Sequence, residues 1–221
     1  MTLSNVPIIT VDGPGGSGKG TLSANLAKAL GWHFLDSGAL YRVLALAALK
    51  KGFNLQDEKA LADLAQDLKV QFNGDILLDG ISVSQEIRKE TCGNTASKIA
   101  AYPLVREALL ECQRAFCRSP GLVADGRDMG TVVFPWAKMK IFLDANAEER
   151  AKRRYLQLKD KVHNVTLQSL LQEIAERDAR DKQRAIAPLR PAKDAVVIDT
   201  TGMGIEAVFA RVMMEVKQRL L

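Results

Sequence analysis

The 221-residue chain has few of the residue types that often build metal centres and nucleophilic triads. Its only histidines are His33 and His163, so we expect neither a histidine-built metal site nor a Ser-His-Asp triad. Cys92, Cys112 and Cys117 form no C-x-x-C pair, and we interpret them as reduced thiols of a cytoplasmic protein. Aromatic residues make up 5% of the chain. This scarcity argues against a nucleic-acid surface, where bases stack on interleaved aromatic side chains.

Long apolar runs are also missing. No segment approaches the roughly 18–20 apolar residues of a membrane span, and the first residues do not resemble a signal peptide, so we expect no membrane partner. With 47% hydrophobic and 26% charged residues, the composition predicts one globular domain over residues 1–221. The net charge of +5 is compatible with nucleic acid, a membrane surface or a phosphorylated small molecule.

A glycine-rich segment stands between a short apolar run and a helical pattern. Ile8, Ile9 and Val11 indicate a buried strand, and the next residues have the spacing G-x-x-x-x-G-K. Glycines let several backbone N–H groups point into one hollow at a helix N-terminus, which favours a bound anion such as a nucleoside triphosphate. The alternative is a glycine-rich turn that binds nothing. The predicted nucleotide-binding residues are Gly13, Pro14, Gly15, Gly16, Ser17, Gly18, Lys19, Gly20 and Thr21.

One position departs from the usual pattern. Gly20 follows Lys19 where a Ser or Thr commonly holds magnesium, and Thr21 comes one residue later. This variant resembles the nucleotide and small-molecule kinases more than the GTPases.

Five short apolar runs, mostly separated by helical patterns, predict an α/β fold with a doubly wound parallel sheet. The runs are residues 8–11, 32–35, 122–124, 139–143 and 195–198. Residues 70–83 differ, because Asn73-Gly74 and Asp79-Gly80 predict tight turns between three short strands. We interpret this antiparallel β segment as an insertion in the α/β domain; an ordinary surface hairpin is the alternative.

Polar and charged residues follow the first three predicted strands of the parallel sheet. They are the glycine-rich segment, Asp36-Ser37, and the run from Asp125 to Asp128. Because ligands bind at the carboxyl ends of the strands in such sheets, this placement predicts an active cleft there.

The stretch from residue 148 to residue 184 is highly charged and has two interpretations. Its arginines are either the solvated face of long helices or an arginine-rich helical pair that closes over the phosphates. Alternating Arg and Asp at residues 177–181, followed by Arg184, favours the second interpretation for that group.

At these motifs the chain resembles the bacterial cytidylate kinases, a family of nucleoside monophosphate kinases, over nearly its full length. The motifs are residues 12–21, 35–38 with Tyr41-Arg42, 105–109, 124–135, 140–145, 177–178 and 184–189. The runs D-G-R-D-M-G-T and R-A-I-A-P-L are specific, whereas the glycine-rich loop alone is generic.

The resemblance implies a role for each matched position. Arg42, Arg127 and Arg184 would bind the acceptor phosphate; Ser97, Arg106 and Asp128 would read the cytosine edge; Ser37 and Asp181 would contact the pentose, with Arg177 as a further lid contact. The catalytic residues would be Lys19, Arg127 and Arg184. No direct protein ligand for metal is predicted, and Asp125 would either orient magnesium through water or serve as a helix or turn cap at the strand end.

The resemblance also implies the reaction, in which ATP with Mg²⁺ phosphorylates CMP or dCMP. The alternatives are a kinase for another small acceptor such as UMP, and a nucleotide- or RNA-binding module without turnover. We further expect a cytoplasmic monomer with no nucleic-acid partner, a monophosphate-binding insert at about 63–97 and a lid at about 148–184.

Overall fold

A computed structural model of the protein describes residues 6–72, 75–159 and 165–220. The chain divides into two compact units. The first comprises residues 1–35 and 116–221, and the second comprises residues 36–115.

The strands and helices alternate through most of the chain. The strands are β1 (Ile8–Asp12), β2 (His33–Asp36), β3 (Val70–Phe72), β4 (Ile76–Leu78), β5 (Ile81–Ser82), β6 (Leu122–Gly126), β7 (Met139–Asp144) and β8 (Val196–Asp199). The α-helices are α1 (Lys19–Leu30), α2 (Ser37–Lys50), α3 (Glu58–Gln66), α4 (Glu90–Ile99), α5 (Pro103–Arg114), α6 (Ala147–Leu158), α7 (Leu167–Lys182) and α8 (Ile205–Leu220). A 3-10 segment covers Glu86–Arg88 and a π-helical turn covers Met129–Val133.

The predicted five-stranded parallel sheet is confirmed, with the strand order β2-β6-β1-β7-β8. The central strand β1 pairs in parallel with β6 on one side and β7 on the other. Asp12 stands opposite Gly126 in β6, and Asp144 of β7 stands opposite Asp199 of β8. The carboxyl ends of these strands therefore meet at one edge of the sheet, where the glycine-rich loop begins.

Apolar side chains from both faces of the sheet form the core of the first unit. All five residues of β1 are buried, as expected for a central parallel strand that is covered on both faces. Helices α1 and α8 pack on this sheet through a shared set of buried residues: Leu22, Leu26, Val208, Val212 and Val216. Ile205, at the start of α8, is 40% exposed and takes no part in this buried core.

The second unit has a core of its own. Its helices α2, α3, α4 and α5 pack together, and the antiparallel sheet β3-β4-β5 contributes Leu78. Asp79 and Gly80 adopt φ values of +50° and +82°, which confirms the tight turn predicted between β4 and β5. The predicted Asn73-Gly74 turn, like His163, lies outside the described residues.

Capping side chains and a glycine mark the ends of several helices. Asp36 and Asp57 cap α2 and α3 by accepting hydrogen bonds from Ala39 N and Ala60 N, each 2.9 Å long. Gly31 ends α1 with a φ of +66°. The second strand is displaced by one residue from the predicted 32–35.

The described segments contain no helix that is long and apolar enough to cross a membrane.

Candidate functional site

The glycine-rich loop leaves β1 by a route that only glycine can follow. Gly13 has a φ of +150°, and a Cβ atom there would lie 2.1 Å from the carbonyl oxygen of Leu143 in β7. Gly16 and Gly18 also adopt positive φ values, +82° and +90°. The loop can therefore curl tightly and direct backbone N–H groups into one hollow.

Helix α1 begins at Lys19, and its N-cap residue is Gly18, which has no side chain to occupy the first N–H groups. A helix N-terminus of this kind favours negative charge. Lys19 is 9% exposed, and its Nζ donates a hydrogen bond to the carbonyl oxygen of Pro14 at 3.2 Å. Its positive charge is thus held across the loop.

Gly20 stands next to a buried carboxylate. A Cβ atom at Gly20 would lie 3.2 Å from Oδ2 of Asp125, which follows the apolar part of β6 and is 6% exposed. Asp125 therefore lies against the first turn of α1, in the space that a side chain at residue 20 would enter. The described residues contain no group of three or more His, Cys, Asp or Glu side chains arranged for a metal ion.

Asp181 of α7 connects two of the predicted arginines. Its Oδ2 accepts a hydrogen bond from Nε of Arg127 at 2.9 Å, and its Oδ1 pairs with Nη2 of Arg184. Asp181 is 1% exposed. Although burial alone raises the pKa of this carboxyl, the charges of Arg127, Arg184 and Arg177 hold the pKa below its usual value. The carboxylate is therefore ionised at neutral pH.

This charged cluster stands beside the glycine-rich loop. A Cβ atom at Gly15 would lie 3.6 Å from Nη2 of Arg127 and 3.7 Å from Nη1 of Arg177. Burial alone lowers the pKa of the Arg127 guanidinium, but the carboxylates of Asp181, Asp125 and Asp178 raise the pKa above its usual value. The first unit thus brings together the loop and the predicted residues Arg127, Arg177, Asp181 and Arg184.

Arg150 of α6 lies in the charged stretch for which a solvated helix face is one interpretation, and that interpretation is wrong for this residue, since it is 4% exposed. Its Nη1 and Nη2 donate to the two carboxylate oxygens of Asp178 in α7, at 3.0 and 2.5 Å. Nη1 also donates to the carbonyl oxygen of Gly15 at 3.2 Å, and Nε donates to that of Ala145 at 2.9 Å. One guanidinium therefore joins α6, α7 and the glycine-rich loop.

Thr200, which follows β8, holds the other side of the loop. Its Oγ1 donates to the carbonyl oxygens of Ser17 and Asp144, at 3.2 and 3.0 Å. Arg153 of α6 donates from Nη2 to the carbonyl oxygen of Thr200 at 2.6 Å. Sequence reasoning missed both residues, and no pattern around them marks these contacts.

Two of the predicted acceptor-binding residues of the second unit lie on helix α2. Ser37 is 3% exposed, and its Oγ donates to Oε1 of Gln113 in α5 at 2.7 Å. Arg42 donates from Nη1 to the carbonyl oxygen of Ile87 at 2.7 Å. A Cβ atom at Gly93 of α4 would lie 2.8 Å from Nη2 of Arg42. The guanidinium therefore rests on the bare backbone of α4, where a side chain would displace it.

The other two predicted residues of the second unit lie on neighbouring helices. Arg106 of α5 is 8% exposed and donates from Nη1 to the carbonyl oxygen of Ala100 at 3.2 Å. Its guanidinium carbon lies 5.9 Å from the ring centroid of Tyr41 in α2, within range of a cation–π contact. Ser97 of α4 is 4% exposed. Helices α2, α4 and α5 thus each present a buried polar side chain.

Comparison with known proteins agrees with these features. A family model described as cytidylate kinase matches residues 9–218. A cytidylate kinase of Edwardsiella ictaluri is 60% identical over 221 residues, covering 98% of each chain. A cytidylate kinase of Aeromonas hydrophila is 59% identical over 219 residues, covering 97% of this chain and 95% of the relative. Among solved structures, an uncharacterized protein from Eubacterium ventriosum shares the fold, with a TM-score of 0.50 at 11% identity over 96% of this chain and 99% of that one.

Proposed function

The chain belongs to the cytidylate kinase family, and we propose that it transfers the γ-phosphoryl group of ATP to CMP or dCMP. The products are ADP and CDP or dCDP. The bond between the γ-phosphorus and the bridging oxygen breaks, and a bond forms from phosphorus to an oxygen of the acceptor phosphate. ADP leaves with the bridging oxygen.

The observation that best supports this proposal is the closeness of the loop to the arginine cluster. Arg127 and Arg177 each bring a guanidinium nitrogen within 4 Å of a Cβ position at Gly15. A loop that cradles a triphosphate gains from such cations, because phosphoryl transfer depends on positioning and on neutralising charge on the transferred group. A simple phosphate-binding turn needs no second set of cations.

The acceptor residues follow the roles that the family resemblance implies. In this proposal Arg127 and Arg184 give up part of their pairing with Asp181 and bind the acceptor phosphate. Arg42 contributes a third cation. Ser97, Arg106 and Asp128 recognise the amino, ring-nitrogen and carbonyl groups of cytosine. Ser37 and Asp181 contact the pentose, and Arg177 contacts the phosphates.

The proposed mechanism needs no dedicated general base. A nucleoside monophosphate already carries an anionic oxygen at neutral pH, so the attacking atom has no proton to remove. Lys19 and the arginines hold the two phosphates in line and stabilise the charge that spreads over the transferred group.

Asp125 fits a role in binding Mg²⁺. Mg²⁺ prefers oxygen donors and keeps several waters, so one buried carboxylate beside the first turn of α1 suits a water-mediated contact. When bound, the ion would neutralise charge on the donor phosphates. We also propose that the protein is a cytoplasmic monomer, which light scattering and fractionation of cells would test.

A coupled assay of ADP formation with CMP, dCMP, UMP and AMP tests the proposed reaction. We expect CMP and dCMP to give the highest kcat/KM values, and a preference for UMP or AMP would overturn the proposal. Lys19→Ala should lower kcat by about 100-fold or more, because Lys19 stabilises charge in the transition state. A binding module without turnover would show no ADP formation in the wild-type protein.

A further inference from the structure

Asp12, the last residue of β1, holds the start of the π-helical turn that follows Asp128. Its Oδ1 accepts a hydrogen bond from the backbone N–H of Met129, and its Oδ2 accepts one from that of Gly130, both at 2.8 Å. The side chain is buried, and 117 and 118 residues separate it from its two partners. Each carboxylate oxygen thus has its own backbone donor in the segment directly after Arg127 and Asp128.

The same segment is closely packed. A Cβ atom at Gly130 would lie 2.8 Å from Oγ1 of Thr10 in β1 and 3.2 Å from Cδ of Lys140 in β7. A Cβ atom at Gly126 would lie 2.7 Å from Cγ of Met129. The backbone from residue 126 to residue 130 therefore rests directly on the sheet, and Asp12 supplies the directional contacts that fix it.

The buried position of Asp12 destabilises the charged form of its side chain. Burial and the nearby charge of Asp128 raise the pKa of Asp12 to about 7, although the N–H groups of Gly130 and Met129 and the charge of Arg127 oppose this. A buried acid with such a pKa contributes little to stability as a carboxylate. Its presence is better explained by what it holds in place.

We propose that Asp12 is a positioning residue for acceptor binding: by fixing the backbone of Met129 and Gly130, it sets the directions of the Arg127 and Asp128 side chains. This inference rests on the proposed function, which gives those two residues the acceptor phosphate and the cytosine edge. The donor triphosphate is bound by the loop after Asp12, whose course is set separately by the contact between Gly13 and Leu143.

Asp12→Asn tests the proposal with little change of shape. Asparagine offers one acceptor oxygen and turns an NH₂ group toward the second backbone N–H, so one hydrogen bond is lost and two donors face each other. We expect the KM for CMP to rise about tenfold and kcat to fall about tenfold. The dissociation constant of ATP, measured by calorimetry, should change less than about threefold.

Thr10→Val is the matched control. Thr10 lies next to Asp12 in space and packs on the same glycine, but its buried Oγ1 has no hydrogen-bond partner among the described residues. Valine replaces this unpartnered hydroxyl with a methyl group and leaves both hydrogen bonds of Asp12 in place, so we expect KM and kcat within about twofold of the wild-type values.

An unchanged KM for CMP in Asp12→Asn, or an equal loss of ATP affinity, would overturn the proposal. If this variant does not fold, Gly130→Ala replaces it, because the added methyl group displaces the same segment. A raised KM for CMP in Gly130→Ala supports the proposal, and an unchanged KM overturns it. If the wild-type enzyme prefers another acceptor, the proposed function is contradicted rather than the role of Asp12. The KM values of the wild-type protein and Asp12→Asn are then compared with that acceptor.

Discussion

Arg150 and Asp178 form a buried, two-point ion pair between α6 and α7, with N–O distances of 3.0 and 2.5 Å. Residues 150 and 178 stand 28 positions apart. Because the same guanidinium also donates to the carbonyl oxygen of Gly15, the pair links α6 and α7 to the glycine-rich loop.

Asp178→Asn should therefore destabilise the protein. The substitution leaves a guanidinium that is 4% exposed without its carboxylate, and we expect the free energy of unfolding to fall by about 3 kcal/mol. Urea denaturation followed by circular dichroism measures this change. Glu215→Gln is the control, since the Arg219–Glu215 pair is exposed and should contribute less than about 1 kcal/mol. Equal losses for the two variants would contradict the prediction.

The raised pKa of Asp12 predicts a pH-dependent stability. Its pKa is about 7 in the folded protein, against an ordinary value of 3.8. The folded state therefore binds the proton more tightly, and the stabilisation from this group is complete below pH 3.8 and is lost as the pH rises through 7. Between pH 5 and pH 8 the free energy of unfolding of the wild-type protein should fall, relative to that of Asp12→Asn, by about 3 kcal/mol.

Parallel urea titrations of the two proteins at pH 5, 6, 7 and 8 would measure this difference. Both proteins share all other titrating groups, so the difference between them isolates Asp12. A difference that stays constant with pH would show that the carboxyl titrates at its ordinary value.

Local patterns in the sequence predicted much of the fold. The five short apolar runs of the parallel sheet and the turn at Asp79-Gly80 depend on neighbouring residues, so their signals are contained in a few positions. The second unit's separate core, by contrast, is formed by four helices that pack together only after folding. The apolar faces of these four helices have the same sequence pattern as those of the helices that cover the parallel sheet.

The contacts that fix the site could not be predicted in this way. Asp12 and Met129 are 117 residues apart, and nothing near either residue identifies the other. Arg150 lies in a run of charged residues, and only the packing of α6 on α7 selects it from its solvated neighbours. The resemblance to the family predicts roles for Arg127 and Asp128, and the structure shows which groups hold the segment directly after them.

Gly13 should tolerate no side chain. An alanine there would place its Cβ atom 2.1 Å from the carbonyl oxygen of Leu143, at a φ of +150°. We expect Gly13→Ala to abolish ATP binding and to lower the free energy of unfolding by more than about 3 kcal/mol. Gly52→Ala is a matched control, because Gly52 has a φ of +68° with open space around it and should cost only about 1 kcal/mol. Thermal unfolding and ATP titration distinguish the two.

Gln113 should affect CMP binding through Ser37. Gln113→Leu removes the oxygen that accepts the Ser37 hydroxyl, and we expect the KM for CMP to rise about tenfold without a change in the KM for ATP. Ser37→Ala should have a similar effect, and the double variant should be no worse than either alone, because both break one interaction. Gln71→Leu, at an exposed position of β3, is the control. Additive effects in the double variant would indicate that the two residues act independently.

Arg184 should matter for turnover more than for donor binding. Arg184 and Arg127 share the carboxylate of Asp181, so the loss of Arg184 removes a cation from the proposed acceptor site and leaves the glycine-rich loop intact. We expect Arg184→Ala to lower kcat/KM for CMP by about 100-fold or more, with the dissociation constant of ATP within about threefold of the wild-type value. Arg184→Lys keeps the charge but not the two-point geometry, and should recover only part of the loss. If kcat/KM for CMP is unchanged in Arg184→Ala, the residue has no part in binding the acceptor phosphate, and its pairing with Asp181 serves only to join α7 to the segment that follows it.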